Sequence, residues 1–250
     1  MKRIIQKYLQ KILGFDEYLF LFSLFTIYTL RFKRNEKDFL YFLKLIPEKG
    51  VILDIGANIG IMTAHLGRKF RKSGIIAFEP VPSNIKALKR IIKYFKLSNV
   101  KVVETALGNN KGNAEMVIPV VKSVKMQGLS HVMHPEINEF NEGIRFTAPL
   151  IRLDDFATDN KFETDVVAIK IDVENYESHV IEGGEELIST YHPLIYAELW
   201  DNENRVKCIG QLESLGYKTK VKLKNSLVDF DPRSVKTQNF FFIHKEYNKG

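Results

Sequence analysis

An acid and two glycines at fixed spacing are the residues of this chain best suited to chemistry. Asp54 closes the apolar run Val51-Ile-Leu, and Gly56 and Gly60 follow it. Glycine lets a chain turn sharply and lets a ligand approach the backbone with no Cβ between them. An acid at the C-terminal end of a buried parallel strand stands where open α/β sheets bind ligands. The segment therefore reads as a small-molecule cofactor loop. A dinucleotide fingerprint starting at Gly56 needs two further glycines, where the chain has Asn58 and Ile61. No Gly-Lys-Ser/Thr follows, so the phosphate loop fails as well. A carboxylate facing the pocket repels pyrophosphate and suits a cationic ligand. S-adenosylmethionine (SAM) carries an ammonium and a sulfonium and no phosphate, which favours it over NAD or ATP.

Further acids repeat the arrangement. Glu79 ends the apolar run of 74–78, 25 residues after Asp54, which leaves room for strand, helix and strand. At the end of a second strand an acid accepts hydrogen bonds from ribose hydroxyls. Strand-end carboxylates also serve simply to cap the next helix, but two in order around a glycine turn favour the cofactor reading. By position, Gly56, Ala57, Asn58 and Gly60 present backbone to the cofactor, and Asp54 helps place its methionine portion. Glu79 holds the ribose and Thr105, with Ala106, borders the adenine. Asp172 ends a fourth strand and points into the same crevice, and Glu198 ends a fifth.

Five ordered blocks carry a family resemblance. They are Asp54-Ile-Gly-Ala-Asn-Ile-Gly60, Ala77-Phe-Glu-Pro-Val-Pro-Ser-Asn84, Ala106-Leu-Gly108, Arg152-Leu-Asp-Asp-Phe156 and Ile169-Lys-Ile-Asp-Val-Glu-Asn-Tyr-Glu177. Together they resemble the FkbM family of SAM-dependent methyltransferases over about residues 51–199. That resemblance implies methyl transfer, by analogy to an oxygen, with a glycan or small metabolite as acceptor. Asp172 and Glu174 fall in its last block and are the first and second candidates for the reacting centre, and Glu198, by its place at the end of the fifth strand, is the third. The family shows Asp-Val-Glu-Gly where this chain has Asn175. Asparagine tolerates the left-handed backbone better than most residues, so the turn is expected to persist.

These residues need a scaffold to place them. Helical patterns at 39–45, 59–71, 83–97 and 204–215 alternate with strands at 51–53, 74–78, 100–107, 166–172, 193–198, 217–223 and 239–244. The expected fold is an α/β, Rossmann-like class I methyltransferase with a seven-stranded, mostly parallel sheet and helices on both faces. Ser83 or Asn84 is the expected cap of the 83–97 helix. Residues 108–112 are a turn. Residues 113–160 break the alternation with strands at 114–120 and 146–153. This stretch reads as an insertion for acceptor recognition, because variable function sits on loops carried by a rigid scaffold. Asp154 and Asp155 are read there as structural residues preceding a core strand. The division is thus a helical extension at 1–49 and a methyltransferase domain at 50–250.

Composition narrows the remainder. At 250 residues and 45% hydrophobic content, the chain builds one α/β domain with an appendage. The single cysteine, Cys208, excludes an internal disulfide and zinc clusters and reads as a buried hydrophobe on a helix. Asp172, Glu198 and Asp201-Asn202 could surround a hard cation, but cofactor and substrate hydrogen bonds explain them equally, and no metal is assigned. His131 and His134 are read as polar loop residues before general bases, and Glu177 as a helix-capping acid. The net charge is +7, and residues 1–49 hold ten Lys/Arg against five Asp/Glu. A solvated face explains this first, a membrane surface second, and nucleic acid third, since no nucleic-acid module is apparent. The apolar run 18–30, followed by Arg31, Lys33 and Arg34, is too short to span a bilayer. A helix packed on the domain is favoured over a peripheral membrane contact through 18–34. A cytoplasmic, membrane-peripheral at most, methyltransferase is the leading expectation. A non-catalytic SAM-binding scaffold is the alternative.

Overall fold

The computed structural model describes residues 2–33, 36–121, 124–135 and 140–247. Arg34 of the basic run lies outside them. Three helices open the chain: α1 (Lys2–Leu13), α2 (Phe15–Thr29) and α3 (Lys37–Leu45). Then β1 (Val51–Ile55), α4 (Ile61–Lys69), β2 (Gly74–Phe78), α5 (Pro82–Tyr94) and β3 (Val100–Val103) alternate. The strands β4 (Ala106–Leu107), β5 (Gly112–Val121), β6 (Val124–Lys125), β7 (His131–Val132) and β8 (Gly143–Ile151) form a smaller sheet. Alternation resumes with α6 (Leu153–Asn160), β9 (Val166–Ile171), α7 (Glu177–Glu182), α8 (Glu185–Tyr191), β10 (Leu194–Glu198) and α9 (Glu203–Ser214). The strands β11 (Tyr217–Leu223), β12 (Ser226–Asp229) and β13 (Asn239–His244) close it.

The main sheet runs β12-β11-β13-β10-β9-β1-β2-β3. Neighbours from β10 to β3 pair in parallel, and β13 and β12 run against them. The order reverses between β1 and β9, so a crevice opens beyond their C-terminal ends, the place such sheets use for ligands. The sheet has eight strands where seven were expected. The additional edge strand, β12, folds back on β11 through a two-residue turn with Lys224 at φ 55°.

Alternation along β1 assigns the faces. Leu53 and Ile55 pack with α6 to α9, where Phe156, Ile181, Ile188 and Leu212 complete a large core. Ile52 faces the other way, onto Phe39 and Phe42 of α3 and Leu66 of α4. Helix α3 thus lies on the sheet itself. Helix α2 buries Tyr18, Leu19, Ser23, Thr26 and Ile27 and packs on α4 and α5, which is the packing expected for residues 18–30. No helix among the described residues is long and apolar enough to cross a membrane. Cys208 is fully buried on α9, as expected.

Three local expectations are corrected. The strand expected at 100–107 breaks after Val103, because the Thr105 hydroxyl donates to the carbonyls of Ala106 and Pro149 and turns the chain into the smaller sheet. The strand expected to reach residue 153 ends at Ile151. Asp154 and Asp155 instead occupy the first turn of α6, where carboxylates suit the helix dipole. Neither Ser83 nor Asn84 caps α5: Val81 holds that position with Pro82 at the first turn, a proline-favoured site.

Candidate active site

The glycine loop is held from below. Gly56 adopts φ 75°, Asn58 φ 50° and Gly60 φ 82°. The amides of Gly56 and Ala57 both donate to the Phe78 carbonyl, at 3.1 and 2.9 Å. A Cβ on Gly56 would stand 1.8 Å from the Asp172 carbonyl oxygen, so this position needs glycine to let the loop pass the end of β9. Glu79 ties the loop to the second strand. Its Oε2 accepts from the Asn58 amide at 2.7 Å, and its Oε1 accepts from the Val81 amide and the Asn84 side chain. Burial pushes the Glu79 carboxyl up to about 7 despite these bonds.

One cavity opens beside this loop. Gly56, Asn58, Glu79, Thr105, Asp172 and Glu174 are on its wall. The insertion covers it, through Met116, Gln127, Gly128, Ser130 and Val132. Ala57 belongs to an adjoining cavity under Phe22 and Thr26 of α2. A third cavity of about 390 Å³ holds Glu36, Asp38, Lys170, Asp172, Tyr196, Glu198, Gln238 and Asn239. Asp172 lies on the wall of all three.

Asp54 is placed differently from the outward-facing acid expected. It is fully buried beneath the loop, where its Oδ2 accepts from Thr63 of α4 at 2.6 Å. Its other oxygen accepts no hydrogen bond and faces Lys170 Nζ at 3.5 Å. Gly60 is likewise a backbone element, the left-handed residue that starts α4.

Lys170 is a candidate site residue that the sequence pattern did not single out. Its ammonium donates to the Gly56 carbonyl at 2.8 Å and stands 3.4 Å from Asp172 Oδ2. Burial would depress this amine, but Asp172 and Asp54 outweigh it, and Lys170 holds its proton more tightly than a free lysine. The register pairing Asp54 with Lys170 across β1 and β9 creates the contact.

The remaining acids divide by environment. Glu198 is pushed up to about 7, chiefly by the charge of Asp172 and then by burial. Glu174, at φ 54°, is raised well above the usual carboxylate range by burial and then by Asp172 and Glu198. Asn175 adopts φ 75°, so the left-handed turn persists where the family shows glycine. Glu177 is buried and accepts from the amides of Val173 and Asn175, so it pins that turn. Asp201 pairs with Arg205, and Asn202 caps α9. His131 is held by the Leu129 carbonyl and Asn141, and neither it nor His134 lines the cavity beside the glycine loop. Among the described residues, the group of three donors close enough for one metal ion is His192, His244 and Glu246, and none of them lines these cavities.

A parallel sheet reversing at β1 and β9, a glycine turn and strand-end acids define a class I methyltransferase fold. Residues 54–219 match the methyltransferase FkbM domain model, and the chain belongs to that family. Methyltransferase 1 of Beauveria bassiana (strain ARSEF 2860) is 26% identical over 156 residues, 58% of this chain and 63% of its own length. Methyltransferase sdnD of Sordaria araneosa is 27% identical over 212 residues, 74% of this chain and 80% of its own. A solved methyltransferase FkbM from Methylobacillus flagellatus KT shares the fold, with a TM-score of 0.52 at 14% identity. That match covers 79% of this chain and 44% of the other. The chain therefore spans less than two thirds of two of these relatives. SAM is the cofactor that family and fold imply. The residues fit it: Glu79, Asp172 and Glu174, rather than a phosphate-binding lysine, line the cavity beside the glycine loop.

Proposed function

We propose that the chain transfers a methyl group to a hydroxyl oxygen of a glycan or small hydroxylated metabolite. The observation that carries this reading is the position of Asp172, shared by the cofactor cavity and the polar cavity beside it. Carboxylates, amides and a phenol line the polar cavity, a donor and acceptor set that suits a hydroxyl-rich acceptor. SAM, when bound, supplies a methyl group activated by its sulfonium. Gly56, Asn58, Glu79 and Thr105 would hold it, with Lys170 bracing the loop from below. Alignment of the two reactants accounts for much of the rate in such a displacement.

An alcohol must also lose its proton. Glu198 ends β10 in the polar cavity, and its carboxyl changes charge near neutral pH, the range in which a base is effective. Asp172, beside the Lys170 ammonium, would orient the hydroxyl. Glu174, on the cofactor side, would face the cofactor rather than the acceptor.

The test is methyl transfer from labelled SAM to a panel of sugars and hydroxylated metabolites. Wild-type turnover should rise through about pH 7. Glu198→Gln should lower turnover by about 10²- to 10⁴-fold, abolish that rise and leave SAM binding intact. SAM binding with no transfer to any hydroxyl would refute the enzymatic reading. A Glu198→Gln variant that keeps the acidic limb would refute the assignment of the base.

A further inference from the structure

We propose that α1, α2 and the turn after them dock the protein on the surface of an anionic lipid bilayer. Helix α2 is apolar on two opposite sides. Its inner face is covered by α4 and α5, whereas Leu21, Phe25, Tyr28 and, in the following turn, Phe32 recur at four, three and four residues on the outer one. Phe25 is 65% exposed and Phe32 71%. Helix α1 folds back so that Gln6 and Gln10 reach the Tyr18 hydroxyl, and it adds exposed Tyr8 and Ile12, the latter 76% exposed. Tyr94 of α5 extends the patch, its hydroxyl 3.5 Å from that of Tyr28.

Charge identifies what covers this face. The acids among residues 2–33, Asp16 and Glu17, are each paired with a cation of α5, Lys86 and Arg90. Lys7 and Lys11 of α1 and Arg31 after α2 are exposed cations on these elements, and Arg31 lies 4.7 Å over the Phe32 ring. Aromatic residues bordered by cations match the interfacial zone of an anionic membrane, where rings enter the headgroup layer and lysines and arginines meet lipid phosphates. The 15 residues of α2 extend about 22 Å, short of the ~30 Å hydrocarbon core, so the helix lies on the bilayer and does not cross it. The inner face of the same helix supplies Phe22 and Thr26 to the cavity under the glycine loop. Docking therefore brings the site to the membrane surface.

Flotation with vesicles of phosphatidylcholine, with and without phosphatidylglycerol, tests the proposal on the whole chain. The wild type should partition onto the anionic vesicles on the order of tenfold more strongly than onto neutral ones, and added salt should weaken it. Phe25→Ser with Phe32→Ser should lose about tenfold or more of that partitioning, with helix content and SAM binding unchanged because both rings face solvent. Arg31→Glu with Lys11→Glu should remove the preference for anionic lipid. Failure to float with anionic vesicles would overturn the proposal. So would flotation unaffected by the paired phenylalanine variant, or a concentration-dependent dimer that this variant dissolves, since a second copy would then cover the face. SAM binding and turnover in solution are measured separately, so neither outcome bears on the proposed reaction.

Discussion

Replacing Lys170 with methionine should expose how the site is braced. The ammonium stands 3.5 Å from Asp54 and 3.4 Å from Asp172, in a place where it and Asp54 are almost wholly removed from water. Asp54 keeps one hydrogen bond, from Thr63, and its second oxygen has none. At an effective dielectric of about 20, two unit charges at that separation interact by roughly 5 kcal/mol. Removing one member of a buried pair typically costs about 3–5 kcal/mol, because the other is left uncompensated. Methionine resembles the lysine stem in length and flexibility, so lost packing adds little. Lys170→Met should therefore lose about 3–5 kcal/mol, and at 2–4 °C per kcal/mol for a chain of this size its Tm should fall by roughly 6–20 °C. Asp54→Asn in the same chain removes the uncompensated charge and should recover about 2 kcal/mol or more. The doubly substituted protein should still bind SAM weakly, because the Gly56 carbonyl has lost its donor. Urea unfolding of the four proteins in the cycle gives the coupling energy, and calorimetry gives the affinities. A coupling below about 0.5 kcal/mol, the limit for independent sites, would refute the reasoning.

Gly56→Ala forces a left-handed alanine against the Asp172 carbonyl and should lose roughly 2–5 kcal/mol together with SAM binding. Gly128→Ala, on the same cavity wall with its nearest neighbour 3.8 Å away, should be nearly silent in thermal unfolding and calorimetry. Glu79→Gln weakens an acceptor of two backbone amides and should reduce SAM affinity about ten- to a hundredfold by titration, at about 1.5–3 kcal/mol for a charged hydrogen bond. Glu79, Glu177 and Glu198 are raised from 4.5 to about 7, so the folded chain holds more protons than the unfolded one between those values. Stability should be fullest below about pH 4.5 as far as these groups decide it, and should fall as pH rises to about 7. His65 and His244, lowered by burial, pull the other way, so urea midpoints rising steadily from pH 5 to 7 would show that the carboxyls do not dominate.

The parts of the fold legible in the sequence are those where one residue type meets a local demand. Gly56 and Gly60 announced a loop because positive φ and a close backbone approach both exclude a side chain there. Asn175 was readable for the same reason. Strand-end acids were legible as positions, yet their roles depended on which strands become neighbours. Lys170 shows the limit. Inside the run of β9 it looked like a break in an apolar strand, and only the register that sets it beside Asp54 turns it into a buried counter-charge. An ionisable residue in a central strand, buried on both faces, was the available signal, with Asp54 and Asp172 as the acids that required a partner. β12 was missed because Lys224-Asn225 lacks the glycine that marks most two-residue hairpins. The insertion was visible as a break in alternation. That it roofs the cofactor cavity follows from β4 and β8 pairing far apart in sequence.

The same dependence on neighbours separates the two acids of the proposed reacting centre. Asp172 and Glu198 both end parallel strands, and by position alone either serves as base or as orienting group. Asp172 has the Lys170 ammonium at 3.4 Å, which holds its carboxylate in place and answers its charge. Glu198 has Asp172 as its strongest influence, and that repulsion, with burial, moves its proton exchange to about 7. Two carboxyls with divergent surroundings assume different roles. In the proposed reaction the fixed one would position the acceptor and the adjustable one would accept its proton. The sequence alone puts Asp172 first. For proton transfer the surroundings place Glu198 ahead, and the acidic limb of the pH profile is the quantity that decides between them.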